Sequence, residues 1–256
     1  MVIEDIMASV KVPPKRSKGV LSDIRYFLLH KPVIPTLIEF CSPAERENYS
    51  QRILQRLETS VTNYAILNIH KIGIEAPVRY VFEELLNWDG DSTCWPNYVA
   101  KVERINGRLE CIQIFLFGKK KYPLGFKKSF FGLKYIPLFH LDAMKIQHLP
   151  DSADFDNARY LLYKCSGGYP IGIFSIYVRS PIAQQHEVEH TQLFFLVGFN
   201  FYGKEDWPKI RFINKIWEKI HNRVSANILN RFKQLCEWRF EKVQEGLYSN
   251  SQNENC

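Results

Sequence analysis

The spacing of apolar and polar positions changes twice along the chain. Near the C-terminus Ile213, Ile216, Trp217, Ile220, Val224, Ile228, Phe232, Leu235 and Cys236 recur at steps of three and four. Lys215, Glu218, Lys219, Arg223, Asn230 and Lys233 fill the intervals. That is the period of one long amphipathic helix. It is predicted over 207–246, with Pro208 tolerated in the first turn and Gly246 as the stop. A helix of this length spans on the order of 60 Å and needs a broad apolar surface to lie on.

The middle of the chain has a period of two. Ile66, Asn68, His70 and Ile72 alternate with Leu67, Ile69 and Lys71, which predicts a strand over 64–74. Glu75-Ala76-Pro77 then turns the chain into a short helix over 78–87, with Val81, Phe82, Leu85 and Leu86 on its buried face. A turn over 89–92 and a short helical turn within 93–98 follow. Strands are predicted over 99–105, 108–117, 140–148, 158–166, 171–180 and 190–201. Asn106-Gly107 is a hairpin signal between the first two, and Gly167-Gly168-Tyr169-Pro170 plays that part later.

The beginning of the chain has neither period. Residues 1–18 read as a poorly ordered basic arm, 24–29 as a turn or two of helix, and 30–40, with Pro32 and Pro35, as extended. Ser42-Pro43-Ala44-Glu45 is a capping box that opens a polar helix running to about residue 59. The expected organisation is an extension over 1–60, a main α+β domain over 62–246 and a disordered tail over 247–256.

The strand, Ala76-Pro77-Val78 leading into Val81-Phe82-Glu83-Glu84-Leu85-Leu86-Asn87-Trp88, and then Trp95-Pro96-Asn97-Tyr98, together resemble the opening of the START-like superfamily. That group includes lipid-transfer domains, polyketide cyclases and birch-pollen allergens. The resemblance covers about 62–246, rests on element order more than on motif, and sets 118–139 apart as an insertion. It implies a helix-grip fold, in which a curved antiparallel sheet of about six to seven strands wraps the C-terminal helix around an apolar cavity. Trp95, Tyr98, Tyr160, Tyr177, Arg179, Phe195, Val197, Phe199, Trp217, Ile220 and Val224 are the residues expected to line it. The row Leu193, Phe195, Val197, Phe199 and Phe201 is taken as the inner face, opposed by Trp217, Ile220 and Val224. His70, Arg159, Tyr160, Ser175, Tyr177 and Arg179 can each orient a ligand or face solvent, because a one-residue slip exchanges the two faces.

Composition adds two points. Eighteen Phe and thirteen Tyr, concentrated in the strand-like middle, can fill a core or line a cavity for an apolar ligand. An excess of 34 Lys and Arg over 27 Asp and Glu permits an acidic partner. The excess is concentrated. Residues 111–141 contain no acid, while Lys119, Lys120, Lys121, Lys127 and Lys128 stand among Phe126, Phe130 and Phe131. Such a segment suits the headgroup layer of an anionic membrane. The bland alternative is a basic loop whose aromatics fold back on the core. Single-stranded nucleic acid ranks below lipid because the segment is poor in arginine.

His186-Glu187-Val188-Glu189-His190 matches HExxH, which on a helix would set two histidines for zinc with Glu187 as general base. Glu189 and the strand-like run that follows argue for a polar loop instead, so no metal is expected. There is no GxSxG, Walker loop or strand-linked GxGxxG, and no cofactor is expected. The six cysteines form no CxxC pair and read as a reduced, cytosolic set. The expected function is binding, and carriage, of a lipid-like small molecule by a cytoplasmic protein that also docks on membranes. A cyclase-type enzyme using the same cavity is the alternative; it would need a polar pair buried on facing elements.

Overall fold

The computed structural model describes residues 14–55, 66–88, 91–105, 108–116, 139–147, 158–166, 171–180, 190–200 and 211–253. Strands β1 (Ile66–Ile74), β2 (Ala100–Ile105), β3 (Arg108–Leu116), β4 (Phe139–Gln147), β5 (Ala158–Ser166), β6 (Ile171–Arg179) and β7 (Thr191–Asn200) form one sheet. Its order is β1-β7-β6-β5-β4-β3-β2, antiparallel throughout. The consecutive strands from β2 to β7 form a meander, and β1 closes the far edge by pairing with the last of them. Helix α3 (Val78–Leu86) sits between β1 and β2 in sequence and buries Val78, Val81, Phe82 and Leu85.

The long helix α4 runs Arg211–Asn253. Gly246 is therefore not its stop, and residues 247–253 continue the helix where a disordered tail was expected. An interior glycine costs a helix only about 1 kcal/mol, which the flanking turns outweigh.

The register fixes the two faces of the sheet. His70 stands opposite Phe195, Ile72 opposite Leu193, and Ile176 opposite Phe195 on the other side. Ile72, Ile74, Ile176, Val178, Leu193 and Phe195 thus share the inner face. They form one buried cluster with Ile228, Leu229, Phe232, Leu235 and Cys236 of α4. The outer face is covered too: Leu67, Ile69, Phe194, Leu196 and Tyr177 are all buried.

The N-terminal extension contributes to both coverings. The turn α1 (Val20–Asp23) continues as a π-helix over Ile24–Leu29, closed by His30 N–H donating to the Arg25 carbonyl at 2.9 Å. This segment lies along α4, where the Asn227 amide donates to the carbonyls of Phe27 (3.0 Å) and His30 (2.9 Å). The arm expected to be loose over 1–18 is already docked at its end. Ser17 is buried and the Lys15 carbonyl accepts a bond from Arg231.

The chain then crosses to β1, where Ile38 N–H donates to the Ile69 carbonyl and Lys71 N–H to the Thr36 carbonyl. Helix α2 (Pro43–Gln55) follows. Its capping box is present: Glu45 N–H donates to Ser42 Oγ (3.1 Å), and Glu45 reaches back to accept from Cys41 N–H (2.8 Å). Burial raises the Tyr49 pKa, against a smaller lowering by Arg179.

Asn230 of α4 clasps this strap at Ile34, accepting from its N–H and donating to its carbonyl, each at 2.9 Å. Asn230→Ala is expected to lower stability by about 1.5 kcal/mol, read as a fall in the urea midpoint with unchanged slope.

Candidate functional site

On the inner face of β1 the apolar residues give way to polar ones. Ile72 and Ile74 belong to the buried apolar cluster, but Asn68 and His70, one step along the same face, are polar and buried. A buried amide and imidazole are costly unless hydrogen-bonded. Both reach α4. His70 Nε2 lies 3.2 Å from Asn222 Oδ1, and Asn68 Nδ2 lies 2.8 Å from the same oxygen. On its other side His70 Nδ1 lies 2.9 Å from Thr36 Oγ1, which the strap supplies.

Turning the Asn68 amide over lets its nitrogen donate to Glu218 Oε1 and to the Leu67 carbonyl, each at 3.1 Å. This orientation is the favoured one, because the other sets an amide oxygen against two acceptors. Asn222 then presents its nitrogen to both partners and His70 takes the opposite tautomer, donating from Nδ1 to Thr36. Glu218 thereby joins the cluster. His221, the neighbour of Asn222, has Nδ1 3.4 Å from Ser225 Oγ.

Both imidazoles are held neutral. Burial pushes His70 down to about 4. Burial and then the nearness of His70 push His221 down to about 4. A neutral imidazole has one donor and one acceptor, and His70 engages both, with Thr36 and Asn222. Beside this polar edge stands an aromatic wall: Phe195, opposite His70, meets Phe174 edge-to-face at 5.3 Å, and half-buried Val197 stands opposite Asn68. A group with an apolar body and one polar end matches that arrangement chemically.

The expected lining residues fare unevenly. Phe195 and Val197 lie on the inner face, and Val224 packs against the core. Phe199 stands opposite Ile66 and Gly172, on the phase of Phe195. Tyr177 and Arg179 do not line the inner face. They pair with Phe194 and Gln192 on the outer face, where Tyr177 stacks on Phe194 at 5.4 Å and Arg179 lies over the same ring at 5.2 Å. Tyr160 stands opposite Tyr177 in the register.

Ile220 is exposed, because its stripe of α4 points away from β1. Trp95 is core, edge-to-face with Trp88 at 5.1 Å, and Tyr98 is largely exposed. Trp217 lies within α4, and its side chain is outside the described residues, as are Lys119, Lys120, Lys121, Phe126, Lys127, Lys128, Phe130 and Phe131.

Of the HExxH pattern, residues 186–189 also fall outside the described residues, while His190 is non-helical and Thr191 begins β7. The second histidine is therefore not on the helix a zincin needs. Among the described residues no three His, Cys, Asp or Glu side chains gather as a metal site, and no helix is long and apolar enough to cross a membrane. Burial pushes the Cys94 thiol up to about 12 and raises that of Cys236, so neither is a ready nucleophile.

No family model matches the chain, and no curated protein matches it. Solved structures do. An aromatase/cyclase from a Streptomyces species is 17% identical, with a TM-score of 0.43 over 68% of this chain and 94% of its own. A conserved protein from Geobacillus kaustophilus is 14% identical, with a TM-score of 0.35 over 67% and 95%. An uncharacterized protein from Bacillus thuringiensis is 9% identical, with a TM-score of 0.33 over 64% and 99%.

Proposed function

We propose that the chain is a helix-grip domain that binds a lipid-like small molecule between the inner face of its sheet and α4. The element order supports the fold reading: one edge strand, a helix, six meandering strands and a long closing helix, with the first and last strands paired. One observation carries the functional reading. The polar set Asn68, His70, Asn222 and Glu218 is built into the inner face beside Phe195 and Phe174, where an all-apolar core would have been simpler to satisfy. Apolar burial would supply most of the affinity, at about 25 cal/mol per Å², and the polar set would fix orientation. Membrane docking through Lys119–Lys121 and the phenylalanines at 126, 130 and 131 belongs to the same reading.

The test is native mass spectrometry of freshly purified protein, followed by solvent extraction. A co-purifying apolar molecule with a hydroxyl, carbonyl or carboxyl end is the expected result. Asn222→Leu should reduce its retention by roughly tenfold. A clean apo mass, together with no uptake of added fatty acid or sterol, would remove the binding reading.

A second reading rests on the same geometry. Buried His70 on β1 and half-buried His221 and Asn222 on α4 are polar groups on facing elements, of the kind a cyclase-type enzyme needs. In that reading a neutral imidazole orients a carbonyl or accepts a proton from the bound molecule. Conversion of the extracted molecule on reincubation, lost in His221→Gln while binding is retained, would favour it.

A further inference from the structure

The strap leaves part of the α4 stripe it covers bare. On α4, Ile216, Ile220, Arg223, Asn227 and Asn230 follow one another at helical spacing. The strap occupies only the later positions, through bonds from Arg223 and Asn227 to the His30 carbonyl and from Asn230 to Ile34. Ile216 and Ile220 remain 44% and 39% exposed. On either side of the His30 carbonyl held by those bonds, the strap turns its own apolar side chains outward: Leu29 is 72% exposed and Val33 74%. Four exposed aliphatics on two segments clasped together are more than scattered surface apolars.

The charge around the cluster identifies the partner. Arg25, Lys31, Lys215 and Lys219 are exposed on the same two segments. The only acid over residues 14–38 is Asp23, which is buried and accepts from the N–H groups of Tyr98 and Val99 at 2.7 and 3.2 Å. The only acid over 211–234 is Glu218, which turns towards Asn68 of β1.

We propose that the strap around Leu29–Val33 and the Lys215–Lys219 turns of α4 together form a docking face for an anionic lipid bilayer. Leucine, valine and isoleucine enter the boundary between headgroups and acyl chains, and the lysines and Arg25 meet the anionic headgroups. Nucleic acid fits less well, because the apolar members are aliphatic and give bases nothing to stack on. The face is distinct from the 119–131 stretch and does not depend on the ligand reading.

The experiment is co-sedimentation of the full chain with phosphatidylcholine vesicles, with and without phosphatidylserine. Binding should require phosphatidylserine. Lys31→Glu with Lys219→Glu should weaken it by at least roughly tenfold, and Leu29→Ser with Val33→Ser should weaken it to a similar degree. All four positions are exposed, so the urea midpoints should stay at the wild-type value, which separates lost docking from misfolding.

Binding that is indifferent to phosphatidylserine, or absent, would overturn the proposal. So would strap variants that bind as wild type while Lys119→Glu/Lys120→Glu/Lys121→Glu does not, which would leave docking to that stretch alone. Single-stranded oligonucleotide binding lost in the strap variants, without vesicle binding, would also overturn it.

Discussion

Between pH 6.5 and pH 4 the chain is expected to lose stability steeply as the pH falls. His70 and His221 each have a folded-state pKa of about 4, against 6.5 for an unperturbed histidine. In that window the unfolded chain binds more protons than the folded one, so stability rises with pH. The contribution is complete above the unfolded pKa and is lost as pH falls through the window towards the folded value. For His70 alone the shift corresponds to roughly 3 kcal/mol. His221 adds less than a second such amount, because part of its lowering comes from His70 itself.

Urea midpoints measured from pH 7.5 to 4.5 would show the slope. His70→Gln should be less stable than wild type at pH 7.5, since it disturbs the bonds to Thr36 and Asn222, and the two should converge towards pH 4.5. Parallel curves for wild type, His70→Gln and His221→Gln would mean that neither imidazole is buried neutral.

Periodicity was sufficient for the elements and insufficient for the faces. The six strands after α3 lie within a residue or so of their predicted bounds, because β-rich runs separated by Asn106-Gly107 and Gly167-Gly168 leave little choice. The face of β6 was legible as well: Phe174, Ile176 and Val178 form an apolar phase that leaves Ser175, Tyr177 and Arg179 on the other side. Tyr177 and Arg179 could each orient a ligand or face solvent, because a one-residue slip exchanges the two faces; they stand on the outer face, where Phe194, Leu196 and Ile69 are buried.

The site residues on α4 were hidden for a related reason. Glu218 and Asn230 stood among the polar residues filling the intervals of the apolar pattern, although Asn230 is buried, and His221 and Asn222 were not singled out. The usable signal was asparagine itself. It is a weak helix former with a strong appetite for hydrogen bonds. Asn222, Asn227 and Asn230 inside one helix therefore each point to a tertiary partner. All three have one: β1 for the first, the strap for the other two.

Phe27→Ala is expected to produce the largest loss of stability of any single substitution proposed, about 3–5 kcal/mol. Phe27 is fully buried and belongs to the main apolar cluster although it lies in the strap. Its ring faces the Arg231 guanidinium at 5.6 Å, with Tyr26 at 5.2 Å from the same group. Arg231 in turn donates to the carbonyls of Thr93 and Lys15. Arg231 thus joins the strap, α4 and the segment that follows α3, and truncating Phe27 opens a cavity beside that junction.

Denaturant unfolding would measure the cost, and a loss below about 1 kcal/mol would mean that the strap merely rests on the domain. Trypsin under native conditions asks a second question, since Arg16, Lys18, Arg25 and Lys31 all lie in the strap. Leu229→Ala, which removes a buried α4 side chain of the same cluster, is the matched control. If Phe27→Ala speeds cleavage at those sites more than an equally destabilised Leu229→Ala protein, the strap opens as a unit of its own. In that case Thr36 leaves His70 when the strap lifts. The polar edge of the inner face would then be opened by the same segment that is proposed to meet the membrane, so that docking and access to the site are mechanically one event.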